Sequence, residues 1–140
     1  MADPPIPRGI IDTSVVIDLE HLAAGDLPAE LAVSAVTFAE LAAGPHATRD
    51  PQERARRQDR LQRAEATFEP LPVDANVARA YGRIYAAVVG AGRKARGARS
   101  LDLLIAATAL ASDLPLYTSN PGDFRGTESL VDVVALAPAD

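Results

Sequence analysis

Short apolar runs alternate along this chain with longer segments of helical periodicity, and that alternation admits few folds. Residues 9–11, 31–36, 116–118 and 131–136 read as strands, with 68–73 as a further extended piece. A helix follows Asp12, with Thr13 or Ser14 as its cap and Val15, Val16 and Leu19 facing inward. A second begins at Thr37 and stops at Gly44-Pro45. Asp50-Pro51, a cap followed by proline at the first helical position, opens a long Arg-rich helix to about Ala66. Asp74 caps another that runs to about Val89, and Ser100 caps a strongly apolar one over 101–111. Short apolar strands interleaved with helices predict an α/β fold: a three-layer α/β/α sandwich around a mainly parallel central sheet.

Sites in such sheets collect beyond the carboxyl ends of the strands. Asp12, Glu40 and Asp123 each follow a predicted strand closely, and Asp102 lies in the first turn of a helix expected to start at that same edge. Each acid has an ordinary explanation when taken singly. Asp12 suits a helix cap, and Glu40 in Thr37-Phe38-Ala39-Glu40 suits a capping box. Asp102 complements a helix dipole, and Asp123 in Asn120-Pro121-Gly122-Asp123 fits a turn. All four explanations imply independent, solvated acids, whereas the topology puts them on one edge. Two carboxylates ~5 Å apart repel by ~3 kcal/mol at an effective dielectric of ~20, so a converging set requires a cation, a raised pKa or basic partners. All-oxygen ligands favour hard ions such as Mg²⁺ or Mn²⁺.

Composition narrows the alternatives. At 140 residues and 48% hydrophobic content the chain suits one ordinary domain, expected over residues 8–138 behind a flexible, proline-rich lead-in at 1–7. With no Cys, and with only His21 and His46 at no metal-binding spacing, a zinc enzyme is not expected. The N-terminal residues have no apolar core like a signal peptide's, and the best apolar run, 103–111, is too short to span a bilayer, so a cytoplasmic protein with no membrane partner is expected. The net charge of −5 argues against coating nucleic acid by bulk electrostatics, yet Arg49, Arg54, Arg56, Arg57, Arg60 and Arg63 form one basic group and Arg93, Lys94, Arg96 and Arg99 another.

Four segments together resemble the motifs of PIN-domain nucleases, most closely those of VapC toxins. They are Asp12-Thr13-Ser14-Val15, Glu40 within Thr37-Phe38-Ala39-Glu40-Leu41, Ser100-Leu101-Asp102 with Ile105-Ala106-Ala107-Thr108-Ala109, and Thr118-Ser119-Asn120-Pro121-Gly122-Asp123-Phe124. The resemblance runs from Ile10 to about Leu136. It implies a PIN-like sandwich and a Mg²⁺- or Mn²⁺-dependent endoribonuclease, the growth-inhibiting toxin of a toxin-antitoxin pair. Such a toxin pairs with a VapB-like antitoxin, as a homodimer and within a hetero-oligomer. By motif position Asp12 and Asp102 are the main metal carboxylates, Glu40 and Asp123 complete the site directly or through water, and Ser14, Thr118 and Asn120 orient ligands from behind. The chain departs from the family pattern at its start, where a proline-rich segment and Arg8-Gly9 leave the length of strand one open.

A phosphodiester needs an activated water, neutralised non-bridging oxygens and a stabilised leaving group, which one or two such ions can serve. The resemblance implies products with a 5′-phosphate and a 3′-hydroxyl. Arg93, Lys94, Arg96 and Arg99, in a basic loop leading into the Asp102 helix, are candidates for RNA phosphate contacts. The Arg49–Arg63 group could face RNA, an antitoxin or water. Tyr117, Phe124 and Phe38 are core candidates before they are base-stacking ones. A phosphoaspartyl receiver would need a lysine after a late strand, and a HAD-type phosphatase an acid where Ser14 stands. The remaining alternatives are a housekeeping RNA-processing PIN nuclease and a non-catalytic module that binds RNA or a partner.

Overall fold

The computed structural model describes residues 7–137, so most of the expected N-terminal lead-in lies outside the described residues. Four strands, β1 (Arg8–Ile11), β2 (Glu30–Ala32), β3 (Leu116–Thr118) and β4 (Val133–Ala135), form one sheet in the order β2-β1-β3-β4. Every pairing is parallel, with Ile10 opposite both Ala32 and Leu116, and Leu116 opposite Val133. The helices are α1 (Thr13–Asp18), α2 (Ala35–Ala43), α3 (Pro51–Thr67), α4 (Ala75–Gly90) and α5 (Arg99–Ser112).

Alternation along β1 builds the layers. Successive strand residues point to opposite faces, and Ile10 and Ile11, both fully buried, enter different cores. On the Ile10 face, Val77, Ile84 and Val88 of α4 meet Leu103, Ile105 and Ala109 of α5. On the Ile11 face, Val15 and Val16 of α1 meet Ala64 and Leu61 of α3. Two helical layers around a parallel sheet thus follow from a strand apolar on both sides. Gly9 lies where a Cβ would come within 2.6 Å of the Tyr117 ring, so its missing side chain makes room for that ring to lie across β1.

Three helix starts differ from expectation. Helix α1 is capped not by Thr13 or Ser14 but by Asp12, as its own capping reading has it, with Oδ1 accepting from the Val15 N–H at 3.1 Å. Helix α2 starts at Ala35, not Thr37, because the buried Ser34 hydroxyl accepts from Val36 N–H and turns the chain out of β2 two residues earlier. Helix α5 starts at Arg99 with no side-chain cap, which leaves Ser100 inside its first turn with its N–H on the Gly97 carbonyl. The expected extended piece at 68–73 reduces to a bridge between Leu71 and Ser34. Asp50 and Asp74 cap α3 and α4 as expected.

Helix α3 consumes much of its own charge. Arg57 bonds Gly44 O and Glu53, Arg54 bonds the carbonyls of Pro45 and Thr48, Arg56 pairs with Glu53, and Arg63 pairs with Glu20 and Asp59. Its arginines therefore fasten the short 3-10 helix at Gly44–Ala47 and satisfy carbonyls there. No helix of the described residues is long and apolar enough to cross a membrane.

Candidate active site

Strands β1 and β3 are neighbours, so their carboxyl ends bring Asp12 beside Thr118. Asp12 is only 5% exposed, and three donors hold its carboxylate. Ser14 Oγ donates to Oδ1 at 2.6 Å, Val15 N–H to Oδ1 at 3.1 Å, and Thr118 Oγ1 to Oδ2 at 2.6 Å. Behind them the polarity runs one way: Ser119 N–H donates to Ser14 Oγ and Asn120 N–H to Thr118 Oγ1. Both hydroxyl protons are thereby committed to Asp12, a set of donors that suits the ionised acid. Burial nonetheless pushes the Asp12 pKa up, opposed by those hydrogen bonds and reinforced by Asp123. Oδ2, with one protein donor against two on Oδ1, has the larger remaining acceptor capacity.

Glu40 sits one turn into α2, with its Oε1 2.7 Å from Thr13 Oγ1. It does not close a capping box on Thr37, since the cap of α2 is Ser34. Thr13 Oγ1 also points at Thr37 Oγ1, 3.1 Å away, but a hydroxyl has one proton to give and the shorter contact to Glu40 takes it. Asp102 stands in the first turn of α5, and Asp123 in the 3-10 turn Pro121–Phe124 that follows β3.

Charge shows how these acids are related. The Asp102 carboxyl is pushed up to about 6, first by burial and then by the charges of Asp123, Glu40 and Asp12, with Arg99 alone opposing. Each of the other three acids is thus within electrostatic reach of Asp102. Among the described residues no three acidic, His or Cys side chains are drawn around one point as a finished ion cage. Mutual repulsion of uncompensated carboxylates acts against such convergence. The donor chemistry suits a hard divalent ion: oxygen ligands only, with the nearby guanidinium of Arg99 bonded instead to the carbonyls of Gly122 at 3.4 Å and Asp123 at 3.1 Å.

From the sequence Thr13 reads only as a cap and Arg99 only as a phosphate contact; neither contact seen here has a sequence signature, since each spans more than twenty residues. Of the other basic residues, Arg93 and Lys94 are exposed, and Arg96 Nε lies 3.3 Å from the Tyr85 hydroxyl. Phe124 is fully buried, and Tyr117 and Phe38 pack against the Ile11-side core, as their core reading expected. A cavity of about 540 Å³ is lined by none of the four acids. It runs between α1 and α3 over Val16, Leu19, Ala64 and Phe68, with Arg56, Arg60 and Arg63 at its rim.

Comparisons with known proteins agree with the fold. A family model described as the PIN domain matches residues 10–128. Ribonuclease VapC5 of Mycobacterium tuberculosis is 35% identical over 128 residues, covering 89% of this chain and 91% of the relative. Ribonuclease VapC8 of the same species is 37% identical over 110 residues, which are 78% of this chain and 96% of that one. Among solved structures, a member of the VapBC family of toxin-antitoxin systems, VapBC-5 from Mycobacterium tuberculosis, superposes with a TM-score of 0.79 at 34% identity, over 94% of this chain and 98% of its own.

Proposed function

The chain belongs to the PIN-domain family, and on that premise we propose that it is a Mg²⁺- or Mn²⁺-dependent endoribonuclease, the growth-inhibiting toxin of a VapBC-type pair. The observation that carries the reading is the crowding at Asp102, where burial first and then three further acids push a carboxyl up to about 6 with one opposing cation. Asp12 and Asp102 are the principal ion-holding carboxylates, with Glu40 and Asp123 completing the set. A bound divalent ion supplies the positive charge that a phosphodiester needs on its non-bridging oxygens and leaving group.

The chain's own groups do the rest. Thr118 and Ser14 hold Asp12 in one orientation, and Asn120 acts behind them through its N–H on the Thr118 hydroxyl. Thr13 occupies Oε1 of Glu40, which leaves Oε2 as the oxygen to orient and deprotonate an attacking water. The exposed Arg93 and Lys94, with Arg96, supply phosphate contacts along the substrate. A VapB-like antitoxin is the partner, in keeping with the VapBC relatives, and the chain pairs as a homodimer within that complex. The work is cytoplasmic.

Incubation of the purified chain with an RNA substrate in Mg²⁺ or Mn²⁺ should give fragments with 5′-phosphate and 3′-hydroxyl ends, and Asp102→Asn should give none. Induction of the wild type in a bacterial host should arrest growth, and induction of the variant should not. Cyclic 2′,3′-phosphate ends, or equal cleavage by the variant, would overturn the reading.

A further inference from the structure

We propose that Arg99 is a positioning residue that locks the Asp123 turn against the helix bearing Asp102, so that these two acids are presented at a fixed separation. This rests on the metal-dependent reading above and assigns Arg99 a task other than binding RNA. The argument begins with the covalent frame. Asp102 belongs to α5, whereas Asp123 lies beyond β3 in the 3-10 turn Pro121–Phe124. The turn keeps few backbone bonds of its own, among them Asp123 N–H to Asn120 O at 3.0 Å and Arg125 N–H to Gly122 O at 3.4 Å, and its carbonyls retain capacity for further donors. Arg99 Nη1 supplies them, reaching Gly122 O at 3.4 Å and Asp123 O at 3.1 Å across more than twenty residues of sequence.

The rest of the turn is anchored on its other side. Phe124 is fully buried in the Ile10-side core, and its carbonyl accepts from Thr127 Oγ1 at 2.6 Å. Arg99 therefore adds a side-chain tether from α5 to the carbonyl of the acid itself, beside the turn's own Asp123 N–H to Asn120 O bond. Its placement three residues before Asp102 puts the tether and the acid on one turn of α5. A guanidinium suits the task because its planar fork of donors reaches carbonyls at fixed angles and never loses its charge. With its Nη1 committed to two carbonyls, Arg99 is less available to a phosphate than the exposed Arg93 and Lys94.

The test uses the full chain as wild type, Arg99→Met and Arg99→Lys. In the metal-free protein, amide exchange at residues 122–125 should quicken in Arg99→Met while α4 keeps its protection. Titration with Mn²⁺ alone, followed by calorimetry, should show affinity weakened about ten- to a hundredfold in both variants, the range for loss of a group that orients ligands. The direction is diagnostic. Removing a cation by itself would tighten Mn²⁺ binding, so a tighter Arg99→Met would overturn the positioning role in favour of simple charge balance. On a short fluorogenic oligoribonucleotide, Arg99→Met should lower kcat and leave KM nearly unchanged; a raised KM with unaltered Mn²⁺ affinity would make Arg99 a phosphate contact instead. Lower thermal stability with unchanged exchange at the turn, Mn²⁺ affinity and kcat would reduce it to a merely structural residue. A wild type that takes up no Mn²⁺ would overturn the metal-dependent reading, and the exchange measurement would then still decide whether Arg99 holds the turn.

Discussion

The Thr13 hydroxyl lies 2.7 Å from Glu40 Oε1, joining the residue after one acid to another acid twenty-seven positions along the chain. Thr13 opens α1 directly after Asp12, so the contact ties the end of β1 to the middle of α2. Replacing the hydroxyl by a methyl of the same shape frees Glu40 to rotate. Thr13→Val is therefore expected to lower kcat about ten- to a hundredfold, as for other groups that orient catalytic ligands. The stability cost should be about 1 kcal/mol, one partly buried hydrogen bond. Steady-state cleavage kinetics beside urea denaturation checks both; a loss of stability with unchanged kcat would separate Thr13 from the chemistry.

Thr118 makes a stronger case because it both donates and accepts. Its Oγ1 donates to Asp12 Oδ2 and accepts from Asn120 N–H, and the side chain is fully buried. Thr118→Val takes the acceptor from the part-buried Asn120 N–H and strips the buried Asp12 carboxylate of a donor, a loss for which about 1–3 kcal/mol is expected. The same change should raise the Asp12 pKa further, since a hydrogen bond that lowers it is lost. Thr118→Ser should restore most of both. Urea midpoints for the three proteins, with the Asp12 titration followed by NMR, would decide the matter.

The layers were legible in the sequence because periodicity reports burial, and burial on both faces of β1 is the physical reason for the sandwich. Helix starts were less legible. A hydroxyl inside an apolar run looks like a strand residue, yet Ser34 is a buried cap, also 3.3 Å from Thr108 Oγ1, and it displaces the Thr37 start that the capping-box pattern suggested. The positions of the four acids at one sheet edge follow from chain order and topology. The groups that orient them do not: the Thr13–Glu40 and Arg99–Asp123 contacts depend on how α2, α5 and the turn after β3 sit in space.

That reassignment can be measured. Ser34→Ala removes the cap of α2 and a hydroxyl contact within the core, and should destabilise the chain by about 1–2 kcal/mol in urea. Were α2 capped from Thr37, the same substitution would be nearly silent.

The raised pKa of Asp102 makes stability depend on pH in a direction opposite to that of a salt-bridged acid. Its carboxyl is held near 6 in the folded chain, against an ordinary value of 3.8. Between about pH 4 and pH 6 the native state thus binds more protons than the unfolded state, and stability falls as pH rises. Below that window both states are protonated and the penalty vanishes; above it both are ionised and the penalty is complete. Asparagine cannot ionise and escapes the penalty. Without metal, Asp102→Asn should therefore unfold at nearly the wild-type temperature at pH 4, and the gap in Tm should open in favour of the variant up to about pH 6 and stay level above. The comparison cancels the titration of acids remote from Asp102, such as Glu53, whose pKa is lowered by Arg56 and Arg57. Mn²⁺ at pH 7 should then raise the wild-type Tm more than the variant's, because binding to the folded state offsets the repulsion only where the carboxylate is present. A wild type more stable than Asp102→Asn at pH 7 in the absence of metal would show that the carboxylate is already compensated within the chain.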